Sequence, residues 1–207
     1  MKKTITLGMF VITLLAGSGL NMYAQELGLG LKIGADMNQI RGKSLKGNFK
    51  GYFMGGVQAH VRFGRVGLQL EGLLTQTQLS TGDNFYSAFG DYIKSTATSA
   101  LSTEIVLTEL SFPLLMDFRL IGPVRGELGG QYSLIINAKD KNNYLVSAKQ
   151  VVEDGYFSGL VGLKAELLSF QVGVRYLQGF NNLNSTDVPE RWNTGRFQVS
   201  LSYLLLH

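Results

Sequence analysis

Leu27-Gly28-Leu29-Gly30-Leu31-Lys32-Ile33-Gly34-Ala35-Asp36-Met37-Asn38 decides the fold of this chain. Every odd position in it is apolar, and every even one is glycine, charged or amide. Side chains on a strand point alternately to opposite faces, so this stretch is a strand with one greasy face and one wet face.

The same alternation returns along the chain. In 51–63, Phe53, Val57, Ala59, Val61 and Phe63 oppose Gln58, His60 and Arg62. A turn at Gly64-Arg65 leads into Val66, Leu68, Leu70, Gly72 and Leu74 against Gly67, Gln69, Glu71 and Thr75, a hairpin signal. Leu110, Phe112, Leu114, Met116 and Phe118 follow, opposed by Glu109, Ser111, Asp117 and Arg119. Pro113 falls on the polar side of that strand and, lacking an amide hydrogen, requires a bulge or a non-bonding position. After the turn Ile121-Gly122-Pro123, Val124, Leu128, Tyr132, Leu134 and Ile136 oppose Arg125, Glu127, Gln131 and Ser133. Val161, Leu163, Ala165 and Leu167 then oppose Gly162, Lys164 and Glu166, and the turn Leu168-Ser169 opens Phe170, Val172, Val174 and Tyr176 against Gln171, Gly173 and Arg175. Phe197, Val199, Leu201, Tyr203 and Leu205 against Arg196, Gln198, Ser200 and Ser202 make the eighth.

Eight such segments joined alternately by tight turns and long polar connections predict an all-β, transmembrane, antiparallel up-and-down β-barrel. The long connections fall at 41–50, 78–100, 139–154 and 181–193. Short turns on the periplasmic rim and long loops outside is the arrangement of outer-membrane barrels, so these four connections are read as extracellular. Phe63, Phe118, Phe170 and Tyr203 near the turn side, and Phe53, Phe157, Phe180, Trp192 and Phe197 near the loop side, are read as two interfacial girdles.

The N-terminus reads as a secretory leader, residues 1–24. Lys2 and Lys3 precede the apolar run Ile5 to Ala16, which is too short for the roughly 17 to 25 residues of a spanning helix, and a small-residue cleavage site follows at Ala24. Residues 25–207 then form one barrel domain. The net charge of +4 includes the two leader lysines, and acids and bases are interspersed, so no nucleic-acid-binding surface is present. The absence of cysteine excludes a disulfide framework and a lipidated cysteine.

Gly30-Leu31-Lys32-Ile33-Gly34, Leu70-Glu71-Gly72-Leu73-Leu74, Leu110-Ser111-Phe112-Pro113-Leu114-Leu115 and Gly173-Val174-Arg175-Tyr176 before Gly179, in this order and spacing, resemble the PorT-like outer-membrane β-barrel family of Gram-negative bacteria. The resemblance implies a small monomeric outer-membrane barrel in the cell envelope. The family's founding member assists a protein-secretion apparatus, which makes an accessory role in secretion or envelope assembly a second functional expectation. Such barrels usually end on an aromatic residue, where this sequence has His207; Tyr203 and Leu205 keep the outward parity.

The polar face collects Lys32, Asp36, His60, Arg62, Glu71, Glu109, Asp117, Arg119, Arg125, Glu127, Lys164, Glu166, Arg175 and Arg196. The interior of an eight-stranded barrel is just wide enough for side chains, so these are expected to pack as ion pairs and close the lumen. An outer-leaflet lipid-modifying enzyme would need a histidine beside a serine and an acid. His60 instead faces inward near the periplasmic end, so the chain is read as non-enzymatic, with no catalytic residue assigned. No cofactor site is read either, because Gly28, Gly30 and Gly34 lack the dinucleotide spacing. No metal site is read, because Asp83, Asn84 and Asp91 lack that of a calcium loop. Binding is expected in the loops. Arg41, Lys43, Lys46 and Lys50 suit the phosphates of lipopolysaccharide or form a solvated charged loop. Phe85, Tyr86, Phe89, Tyr92 and Ile93 either present a contact surface to an envelope protein or extracellular ligand, or pack together and cap the barrel mouth.

Overall fold

The computed structural model describes residues 25–46, 50–82, 84–94, 103–142 and 144–206. Residues 1–24, read from the sequence as a leader, lie outside them, as do Asp83 and His207. The alternating segments become eight strands: β1 (Gln25–Arg41), β2 (Lys50–Phe63), β3 (Val66–Ser80), β4 (Glu104–Ile121), β5 (Val124–Asp140), β6 (Gly155–Leu167), β7 (Phe170–Gly179) and β8 (Asn193–Leu206). Each pairs antiparallel with its sequence neighbours, and β8 closes on β1. Among the described strands no edge is left to template further pairing. The three tight turns share one rim. Gly64 and Gly122 take positive φ there (62° and 53°), as tight hairpin turns demand, and Leu168 does so as a non-glycine (55°).

Parity sorts the side chains as the sequence predicts. Odd residues of β1 are exposed and even ones buried from Leu27 to Asn38, except the half-buried Gly34, and the outer wall carries Leu31, Val57, Leu70, Leu114, Leu128, Val161 and Leu201, each at least two-fifths exposed. A continuous apolar girdle of this extent is incompatible with water and fits a lipid environment. Phe53, Phe157, Phe180 and Phe197 edge it on the loop side, and Phe63, Phe118, Phe170 and Tyr203 on the turn side, where the Phe170 and Tyr203 rings meet at a tilt with centroids 5.2 Å apart.

Pro113 sits where it can be tolerated. The β3–β4 ladder runs from Val66↔Phe118 to Leu70↔Leu114, omits Glu71, Gly72, Phe112 and Pro113, and resumes at Leu73↔Ser111. The gap removes the demand for the missing amide hydrogen.

Two expectations are corrected. Arg119 is exposed on the turn-side rim, because the β4–β5 register shifts between Arg119 and Ile121 and the alternation is lost there. Trp192 is fully buried and takes no part in a girdle. The strands also run further on the loop side than their outward apolar positions indicate: β4 begins at Glu104, and its inward Ile105 and Leu107 are fully buried.

Candidate functional site: the filled lumen and the loop cap

Three tiers of charge fill the lumen. Nearest the turns, the Asp117 carboxylate lies 2.9 Å from Arg125 Nη2 and 2.6 Å from Lys164 Nζ. Arg62 beside it pairs with Glu26 at 2.9 Å and with Glu166. In the middle tier Arg175, on β7, is gripped from two sides. Its Nε and Nη2 donate to Glu127 on β5 (2.6 and 2.9 Å), while Nη1 and Nη2 donate to Glu71 on β3 (2.8 and 2.7 Å). Lys32 on β1 adds a 2.8 Å bond to Glu71. In the upper tier Arg196, on β8, reaches Asp36 at 3.1 Å, Glu109 on β4, and the hydroxyl and ring of Tyr156 on β6, whose centroid lies 5.5 Å from the guanidinium carbon.

These bonds join strands on opposite sides of the barrel, so they occupy the lumen and brace it. Bidentate arginine forks are the strongest neutralising geometry available, and they satisfy carboxylates that burial would otherwise penalise. The void among Lys32, Gln69, Glu127, Lys164 and Arg175 amounts to about 10 Å³, room for about one water molecule. The arrangement plugs the lumen and offers no pore.

His60 is buried near the turn-side end, paired in register with Gly28 on β1 and Gln69 on β3. Its imidazole occupies the space that a Cβ on Gly28 would need. Among the described residues, neither ring nitrogen has a hydrogen-bond partner. It therefore lacks the serine and the acid that a hydrolytic relay requires. Among the described residues there is also no group of three or more histidine, cysteine or acidic side chains that could hold a metal ion.

Above the charged tiers the lining changes chemistry. Ile40, Leu79, Ile105, Leu107 and Ile135 occupy inward positions of four strands and pack with Leu45, Phe85, Phe89, Leu145, Val151, Val152, Leu183 and Trp192 from the four long loops in one apolar cluster. A single helical turn, α1 (Phe85–Ala88), brings Phe85 and Phe89 to one side, four residues apart, where their rings stack at 4.6 Å. The Phe89 and Trp192 rings lie 5.5 Å apart. The capping alternative for the aromatic loop is therefore the one the structure adopts, with Tyr92 and Ile93 half-buried against the cluster.

The loops are tied to one another in a ring. Loop 1 (42–49) meets the start of loop 2 (81–103) through a bridge at Leu45 and Thr81, with Gly82 N donating to Ser44 O at 2.7 Å. Loop 2 meets loop 3 (141–154) at Ile93 and Leu145, where Lys94 N bonds Tyr144 O and Val146 N bonds Tyr92 O. Loop 3 meets loop 4 (180–192) at Val152 and Asn184. Loop 4 returns to loop 1 through Glu190, whose buried carboxylate accepts from both the amide and the hydroxyl of Ser44, each at 2.7 Å. The alternation of polarity that located the strands carries no signal for these ties, which depend on irregular backbone.

Lys50 turns to Glu104 at 3.5 Å, and Glu104 also receives Lys141 at 2.7 Å. Arg41, Lys43 and Lys46 are exposed.

Two solved structures are similar to this chain. Ail, the attachment invasion locus protein of Yersinia pestis, solved with the heparin analogue sucrose octasulfate, is 12% identical, covers 87% of this chain and 99% of its own, and has a TM-score of 0.47. Neisserial surface protein A is 18% identical, covers 84% of this chain and 96% of its own, with a TM-score of 0.48. No curated protein sequence matches the chain. Residues 23–185 match the family model described as the outer membrane protein beta-barrel domain, and with that match over most of its length the chain belongs to this family of outer-membrane barrels.

Proposed function

We propose that this protein is a closed, non-enzymatic outer-membrane barrel whose extracellular cap is a preorganised interaction surface. The observation that supports this reading best is the ring of loop ties over one apolar cluster, from Leu45–Thr81 round to Ser44–Glu190. Loops held in this way lose little conformational freedom on meeting a partner, which favours binding. Beneath them the lumen is filled by paired charges, which argues against transport through the barrel. The unpartnered, inward-facing His60 argues against hydrolysis of outer-leaflet lipid.

The strand motifs that resemble PorT-like barrels extend this to a partner within the cell envelope, including a secretion or assembly apparatus. Crosslinking on intact cells followed by purification tests the reading. The cap exposes Val146, Asp187 and Arg191. Replacing these three by serine should abolish recovery of a partner while the barrel still folds. Unchanged recovery would refute the cap as the interaction surface, and steady conductance in a planar bilayer would refute the closed lumen.

A further inference from the structure

On the outer wall, where β7, β8 and β1 meet at the loop side, a groove of about 520 Å³ straddles the upper edge of the apolar girdle. It is built in three cross-strand rows. The lowest is apolar, with Met37, Phe197 and Tyr176 directly opposite one another in register. Two residues further out, Gln39, Gly195 and Gln178 form the second row, so a glycine lies between two amides and makes a notch in the wall. Two residues beyond that, Arg41 faces Asn193. From the apolar row to Arg41 is about 13 Å of strand.

The upper rows are held in place. Arg41 Nε donates to Gln39 Oε1 at 2.8 Å, a bond that uses one of the five N–H donors of the guanidinium. Tyr176 Oη donates to Gln178 Oε1 at 2.8 Å, and Gln178 Nε2 donates to the Thr194 carbonyl at 3.0 Å. No carboxylate lines the groove among the described residues, and Lys43 and Arg191, both exposed, lie two residues beyond Arg41 and Asn193. The sequence of surfaces encountered on moving outward is therefore hydrocarbon, amide, cation.

We propose that this groove binds the phosphorylated, acylated sugar of outer-leaflet lipopolysaccharide. One acyl chain lies on Met37, Phe197 and Tyr176, the sugar and its amide linkage sit in the Gly195 notch, and the phosphate is held by Arg41. Each row matches one part of such a lipid at the depth where that part lies. Glutamines both donate and accept, which suits the hydroxyls and amide-linked chains of a sugar better than the acceptor-only esters of a glycerophospholipid. Planar guanidinium is suited to paired bonds with phosphate. The site is on the wall, so it is independent of the cap as an interaction surface.

Gly195 permits a clean test, because a Cβ added there meets only the Tyr176 hydroxyl, at 3.6 Å. A larger side chain therefore enters the notch with its Cβ in ordinary contact with that hydroxyl and no other atom. The full chain is folded into phosphatidylcholine nanodiscs containing lipopolysaccharide, and lipid retained after delipidation is counted by native mass spectrometry. The wild type should hold lipopolysaccharide, and Arg41→Ala and Gly195→Leu should each reduce retention about tenfold, the scale of one charge-assisted bond. Arg65→Ala on the opposite rim should leave it unchanged. Dephosphorylated lipopolysaccharide and phosphatidylglycerol should both be held about tenfold more weakly. Equal retention by either groove variant, or equal retention of either comparison lipid by the wild type, would overturn the proposal.

Discussion

The lumen of this barrel holds two regions that differ in chemistry although the same strands and the same inward parity line both. Along β1 the inward residues run Lys32, Asp36, Asn38 and then Ile40; along β4, read outward, they run Asp117, Leu115, Pro113, Ser111, Glu109 and then Leu107 and Ile105. Within the girdle the outer wall is apolar and the lumen is mainly charged and polar, with one small apolar cluster of Leu115, Leu160 and Leu177 among the ion pairs. Above it, where the outer wall meets water, the lumen becomes apolar and the loops close over it. The switch follows the solvent. In lipid the greasy residues must face outward and polar ones pair inside, while in water the ordinary hydrophobic drive to bury them returns. The charged lower region is stabilised by specific geometry, and the upper region by apolar burial.

That contrast predicts that mutations will fail in different ways in the two regions. The largest effect belongs to Arg175→Met, which strands Glu71 and Glu127 in the middle tier. Loss of one partner from a buried ionic set costs about 3–5 kcal/mol, and the urea midpoint of the folded barrel in lipid vesicles should fall accordingly. Adding Glu71→Gln and Glu127→Gln to the same chain should restore most of the loss, because no unpaired charge then remains. In the upper region Trp192→Ala removes the ring packed against Phe89 and should cost ~3 kcal/mol through the cavity it leaves. Its effect should be local, with protease cleaving the loops while the barrel midpoint stays near the wild-type value.

Ser44→Ala deletes one of the two bonds that close the ring at Glu190. A charge-assisted bond of this kind contributes ~1.5–3 kcal/mol, so loop 1 should open to protease while loops 2 and 3 remain protected. The smallest effect belongs to Lys141→Ala at the exposed rim, where water screens the pair and no change in midpoint is expected. The bond from Lys141 holds the Glu104 carboxyl below its usual range. Whatever stability this supplies is present above the unfolded carboxylate pKa and disappears as pH falls through the lowered folded value. A wild-type acid titration compared with that of the variant checks the sign.

The lower region was legible from the residues and the upper one largely was not, for a physical reason. Period-two alternation reports a boundary between two solvents, and from Leu27 to Asn38 that boundary is sharp. At Leu79 and Ile105 the apolar residue is on the opposite parity, so the alternation reads as ended there although β3 and β4 extend past these positions. Trp192 was placed in a girdle on the same logic, by its position near a loop-side strand end, and instead fills the cap. The density of aromatics from Phe85 to Ile93 fits a contact surface and a packed cap equally, because composition does not say which side of a loop a ring takes. Arg119 was misassigned because a register shift one residue later breaks the count. The partners of Arg175 lie on strands far apart in the chain, and nothing local in the sequence specifies them.

The central claim is that the four loops form one folded cap rather than four independent segments. Hydrogen–deuterium exchange of the full chain in nanodiscs tests it most directly. The amides of Lys94, Val146, Glu153 and Ser185, which make the bonds between loops, should exchange orders of magnitude more slowly than free loop amides and lose protection together in Trp192→Ala. Exchange of these four at the unprotected rate in the wild type would contradict the account.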